Sequence, residues 1–174
     1  VIPMDRIPDF ALFLEQLNLE CTAQAYRYAL QEVGRLPGFP MEDKEFNREF
    51  SFASKVASGD NPQAELSDTE LWQRVGMGRK YAHLDKKIGK IRDYMEASRI
   101  VVASHMHAGD GNCHVNIPVN SNDAHMLEEA EETAARVMAE CQEMGGEVSG
   151  EHGIGITKIS FLGKSKMDAL RAFK

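Results

Sequence analysis

Several chemistries are excluded by what this sequence has little of. Three cysteines, Cys21, Cys113 and Cys141, are spread along 174 residues with no C-x-x-C pair. That usage supports neither a disulfide framework nor a thiolate zinc site nor an iron–sulfur cluster, and it fits a reducing cytoplasm. Basic residues are outnumbered, 20 against 27 acidic, for a net charge of -7. A nucleic-acid partner is therefore not expected, because phosphate binding needs a basic face. No apolar run is long enough to span a bilayer, and no signal-peptide pattern is present. What remains is the composition of a globular protein, 43% hydrophobic and 27% charged, of a length that supports a real core.

Chemistry-bearing residues gather in two stretches. The first is I-V-V-A-S-H-M-H-A-G-D-G-N-C-H-V-N-I-P, Ile100 to Pro118. Two β-prone runs flank Ala108-Gly109-Asp110-Gly111-Asn112, which has the turn chemistry of a hairpin connection. Side chains on a strand alternate faces. His105 and His107 therefore share one face of the incoming strand, and His114 and Asn116 one face of the outgoing strand. Closure around Gly109 to Gly111 sets His107 across from His114, with His105 at the solvent or behind the site. Asp110 is expected to bond its own turn. His83 and His125 read as surface residues.

The second stretch is G-G-E-V-S-G-E-H-G-I-G, Gly145 to Gly155. It sets a carboxylate and an imidazole side by side between small residues that let backbone approach a ligand closely. Two histidines and a glutamate form a ligand set that divalent metals use in open, catalytic sites. His107, His114 and Glu151 are the candidate metal ligands, with zinc one possible ion. His152 is left free for proton transfer.

Around these stretches the chain reads as mostly helical. Pro8 and Asp9 open a helix bearing Phe10, Phe13, Leu14 and Leu17. A second helix is expected from about Glu20 to Val33, stopped by Gly34. Phe46, Phe50, Ala53 and Val56 mark a third. Ser67-Asp68-Thr69-Glu70 is a capping box ahead of Leu71 and Trp72. Leu84, Ile88, Ile91 and Met95 mark another helix, whose lysines 80, 86, 87 and 90 form a solvated face. After the hairpin, Ser121 or Asn122 caps a helix with Leu127, Ala130, Ala134, Val137, Met138 and Cys141 on one stripe, ended by Gly145. A strand from Gly146 to Ser149 and a last helix from about Gly163 follow. The order suggests an α+β fold: a ferredoxin-like antiparallel sheet with helices on one face, plus a helical insertion.

H-A-G-D-G-N-C-H followed by S-G-E-H-G-I-G resembles the C-terminal domain of the FAD-linked oxidases related to D-lactate dehydrogenase, D-2-hydroxyglutarate dehydrogenase and the glycolate oxidase flavin subunit. The likeness runs from about Arg99 to Phe173, with a weaker match at Val1 to Leu17. Residues 19–98 depart from it as a helical insertion, since that family joins its first helix to the histidine hairpin more tightly. The resemblance implies that residues 1–174 are a substrate- and metal-binding domain of an FAD-dependent enzyme. Such an enzyme oxidises a 2-hydroxy acid, of the D-lactate or glycolate type, to the 2-keto acid. His152 would then be the catalytic base, Asn116 a substrate contact, and Asn112 and Gly153 contacts to the cofactor. The resemblance also implies that an N-terminal FAD-binding domain and substrate-binding Arg and Lys residues precede Val1, so that the chain alone turns nothing over. Two other readings stay open. One is a free-standing metal-dependent hydrolase with the same His-His-Glu set, although the helical H-E-x-x-H of zincins is absent. The other is a non-catalytic interaction module in which the glycines only make turns.

Overall fold

The computed structural model describes residues 1–40, 42–60, 79–148, 159–162 and 164–173. The expected capping box at Ser67 and the helix with Leu71 and Trp72 lie outside the described residues. The fold is α+β with a helical insertion. Five α-helices are described: α1 (Ile7–Gly34), α2 (Lys44–Ala57), α3 (Asp85–Ser98), α4 (Ala124–Glu143) and α5 (Lys164–Phe173). Two strands, β1 (Ala103–His107) and β2 (Asn112–Asn116), pair antiparallel. By packing, the chain divides into two units, one of Val1–Leu14, Ala103–Ile117 and Glu128–Lys174, the other of Glu15–Val102 and Pro118–Leu127. Among the described residues no helix is long and apolar enough to cross a membrane.

The unit of Glu15–Val102 is held by a helical core. Tyr26, Ala29, Leu30 and Val33 of α1 pack with Ala53 of α2, Ile88 and Met95 of α3, and Phe39, Tyr81 and Leu84 between helices. Lys86, Lys87 and Lys90 are exposed, as the solvated-face reading expects. The two helices expected before Gly34 are one continuous helix of 28 residues. Nothing between Leu17 and Glu20 breaks it, because no Gly or Pro falls there, and Asn18, a residue that competes with helix backbone, is occupied elsewhere. Its side-chain amide donates to Val102 O at 2.7 Å, and its Oδ1 accepts from Val102 N at 2.8 Å.

Asp43 is the fixed point of α2. Its Oδ1 accepts from Glu45 N at 2.9 Å and Phe46 N at 3.1 Å, capping the helix, while its Oδ2 accepts from the Tyr81 hydroxyl. Both residues are buried. Asp43→Ala should remove the cap and strand a buried hydroxyl, together about 2–4 kcal/mol. Urea unfolding reads this as a lower midpoint at unchanged slope. Asp43→Asn keeps the acceptor for the helix N–H groups and turns an amide donor toward the Tyr81 oxygen, so it should lose less.

Helix α4 is capped by Asp123, one residue after Asn122 and two after Ser121, the expected caps. Asp123 Oδ1 accepts from Met126 N at 3.1 Å, while Asn120 Oδ1 takes Asn122 N in the preceding turn. The capping bond from Met126 is the chief reason the Asp123 carboxyl sits below its ordinary range. A charged group suits a helix N-terminus better than Ser121 or Asn122. The stripe is largely as expected, with Ala130, Val137 and Cys141 buried, joined by Thr133, whose hydroxyl donates to Glu129 O at 2.8 Å. Gly145 ends the helix at φ +79°.

The strand expected from Gly146 is not formed over its described residues, but Glu147 within it pairs with Val1. Val1 N donates to Glu147 O at 2.6 Å and Glu147 N to Val1 O at 2.8 Å, the reciprocal exchange of an antiparallel pair. Ile2 N donates to Gly111 O at 2.7 Å. The segment from Val1 to Ile2 thus bonds both to residue 147 and to the hairpin turn.

Candidate functional site

The hairpin presents its histidines on one face. The register pairs Ala103 with Asn116, His105 with His114 and His107 with Asn112. Directly opposed residues point to the same side, so His105, His107, Asn112, His114 and Asn116 share a face, as the alternation predicts. Ser104, Met106, Cys113 and Val115 take the other.

The cross-strand partner of His114 is His105, not the His107 that the sequence suggests. Ala108–Asp110 form a single 3-10 turn, and Gly111 follows at φ +66°. The connection is therefore four residues long, and His107 lies opposite Asn112. A slip of two residues keeps every side chain on its face while changing every partner. Gly111 is dictated by space as well as by φ: a Cβ there would collide with the carbonyl oxygen of Ile2.

The three rings sit close together. His105 lies flat on His114, centroids 4.7 Å apart and planes 8° from parallel. His107 meets His114 edge to face at 5.9 Å and 77°. His105 and His107 are exposed and His114 is half-buried. Asn112 is buried, with its amide nitrogen 3.4 Å from Nε2 of His114, a long contact for a hydrogen bond. Asn116 is exposed on the same face.

An imidazole nitrogen offers its lone pair in the plane of the ring. Two rings lying flat on each other cannot both aim at one ion, whereas two rings whose planes cross have a common line on which one ion can lie. Metal–nitrogen bonds of about 2.1 Å put the centroids of two ligating rings about 5–6 Å apart. The spacing and the crossed planes of His107 and His114 leave room for a shared cation; the parallel stack of His105 on His114 does not. Glu151, His152 and Gly153 lie outside the described residues, so the third expected ligand, the base and one cofactor contact have no placement here. Among the described residues no group of three or more His, Cys, Asp or Glu side chains is placed to hold a metal ion. The other described histidines lie in the second unit: the His83 ring is near Gly38 O, and His125 packs on Tyr28.

No disulfide joins Cys21, Cys113 or Cys141, and burial pushes the pKa of Cys113, on the opposite face of the hairpin, and of Cys141 up. The folded protein therefore favours the protonated thiols. Their contribution to stability is full below the unfolded thiol pKa of about 8.5 and is lost as pH rises through the raised folded values. At neutral pH a disulfide reagent should label both at least about 10-fold more slowly in the native chain than in urea, since the thiolate is the nucleophile. Equal rates would show that the two sites are open.

Residues 80–174 match the model of the family FAD linked oxidases, C-terminal domain, which starts further upstream than the motifs and takes in α3. Glycolate oxidase subunit GlcD of Escherichia coli is 46% identical over 59 residues, 34% of this chain and 12% of that protein. GlcD of Bacillus subtilis is 32% identical over 115 residues, 64% of this chain and 24% of that protein. The mitochondrial D-lactate dehydrogenase (cytochrome) 1 of Saccharomyces cerevisiae is 32% identical over 97 residues, 53% of this chain and 16% of that protein. The chain thus spans between about an eighth and a quarter of the length of these relatives. No solved structure matches significantly. With its histidine hairpin inside a match that covers more than half of its length, the chain belongs to the family of FAD linked oxidases, C-terminal domain.

Proposed function

We propose that this chain forms the substrate side of the active site of an FAD-dependent oxidoreductase that oxidises a 2-hydroxy acid, of the D-lactate or glycolate type, to the 2-keto acid. The observation that carries the proposal is the polar face of the hairpin, His107 and His114 edge to face with Asn116 beside them, within a chain of this family. Relatives named for glycolate and D-lactate supply the substrate class.

The roles divide as follows. His107, His114 and Glu151 would hold a divalent cation, zinc first among candidates, whose charge lowers the pKa of a hydroxyl bound to it. Asn116 donates an amide hydrogen to the substrate and orients its C2–H bond. His152 accepts the hydroxyl proton. Asn112 and Gly153 would lie against FAD held mainly by an FAD-binding domain outside this chain, and that group would supply the two-electron acceptor the oxidation needs. The proton and hydride leave together with the C2=O bond forming, which balances the oxidation.

The test is keto-acid formation by the flavin-loaded protein from D-lactate and from glycolate, with an artificial electron acceptor. Chelation should abolish it and added zinc should restore it. No keto acid from either substrate sinks the activity, and turnover indifferent to chelation sinks the metal.

A further inference from the structure

His105 has no role in the reaction proposed above. It nevertheless makes the nearest ring contact on the histidine face, flat against His114 at 4.7 Å with planes 8° apart. The cause is register: His105 and His114 are the directly opposed pair of the ladder, where side chains stand closest and aromatic pairs contribute most. The His114 ring is thereby covered on one flat side by His105. His107 approaches it from another direction, edge to face at 5.9 Å and 77°. At the end of the same ladder the Asn112 amide stands 3.4 Å from its Nε2. A histidine ring turns about two side-chain torsions. A parallel neighbour restricts the second of these, because turning His114 out of plane would drive its edge into the His105 ring.

We propose that His105 is a positioning residue: by stacking on His114 it fixes the plane in which that ring offers a nitrogen to a cation shared with His107. The inference rests on the metal reading given above but makes a different demand. It requires a flat ring at position 105, not a nitrogen, because the parallel arrangement denies His105 a place in the same coordination sphere. Partners that orient a ligating histidine from outside the coordination sphere are generally worth 10- to 100-fold in metal affinity.

Two measurements on the chain decide it, and only one needs metal. Cobalt(II), which stands in for zinc and absorbs in the visible when bound, is titrated into wild type, His105→Ala and His105→Phe. The alanine variant should bind at least about 10-fold more weakly, and phenylalanine, which stacks but cannot ligate, should recover most of that loss. Equal affinity of wild type and His105→Ala overturns the proposal. So does a loss that phenylalanine does not rescue, which would make His105 a ligand. In the metal-free chain, the His114 ring-proton resonances should lie upfield from the shielding of the His105 face. They should move downfield in His105→Ala and stay in His105→Phe. If wild type takes up no cobalt the metal reading falls by itself, and the resonances then decide the positioning: unchanged positions in His105→Ala overturn it.

Discussion

His114→Ala should lower kcat/KM for hydroxy-acid oxidation by about 10³-fold, roughly 4 kcal/mol of transition-state stabilisation, and should release the bound cation. Of the three rings, His114 is the one in contact with both others, flat on His105 and edge to face with His107. It is also the only one of the three that is half-buried. Removing it takes away one of the proposed ligands and the surface that the other two rings pack on. A Lewis acid supplies several kcal/mol of charge stabilisation in reactions of this kind, so losing the cation sets the scale. The loss should fall on kcat as well as on KM, because the developing alkoxide gains more from the cation than the neutral hydroxyl does. Circular dichroism should be unchanged, since a half-buried polar ring on a two-stranded ladder carries little of the core. His83→Ala, at an exposed histidine of the helical unit, is the control and should leave the rate alone. Full activity with metal retained in His114→Ala would falsify the site.

A large effect on stability is also expected at the turn. Gly111→Ala should cost about 3 kcal/mol, which for a chain of this size lowers Tm by roughly 10 °C. Two costs add. A residue with a Cβ pays about 1–2 kcal/mol to sit at a left-handed φ, here +66°. The added carbon also runs into the carbonyl oxygen of Ile2, which is backbone and cannot turn aside. Moving it breaks the 2.7 Å bond from Ile2 N to Gly111 O and draws the buried Ile2 side chain out. Gly109→Ala makes the comparison sharp. Nothing lies within 4 Å of a Cβ built at Gly109, and the change should stay within about 0.5 kcal/mol. Thermal unfolding of the two variants separates a spatial requirement from a general taste for glycine in turns; equal losses would show that the Ile2 contact is unimportant.

What could be read from residues alone, and what could not, divides along physical lines. The side to which each hairpin residue points follows from the two-residue period of a strand, so the shared face of His105, His107, His114 and Asn116 was legible. The partner across the ladder depends on how many residues the turn consumes. A 3-10 turn followed by a left-handed glycine leaves little trace in composition, so His107 stood in for His105. Counting four connecting residues between His107 and Asn112 would have brought His105 forward. The helix stops at Gly34 and Gly145 were legible, whereas the N-caps were not: Asp43 is shared with the distant Tyr81, and Asp123 lies just past the two residues expected to cap. The break expected inside α1 failed because Asn18 bonds the distant backbone of Val102, a partner that no local window contains. The family itself was legible because H-A-G-D-G-N-C-H and S-G-E-H-G-I-G are dense in residues with chemistry.

The pairing of Val1 with Glu147 sets an order of events during synthesis. The two are 146 positions apart, and a ribosome adding 5–20 residues per second needs roughly 7–30 s to cover that distance. A hairpin closes within microseconds of emerging. The turn around Gly111 therefore exists long before both of the bonds that clamp Val1 can be made. For that interval Val1 lacks its partner, and the pairing with Glu147 is among the last backbone contacts to form.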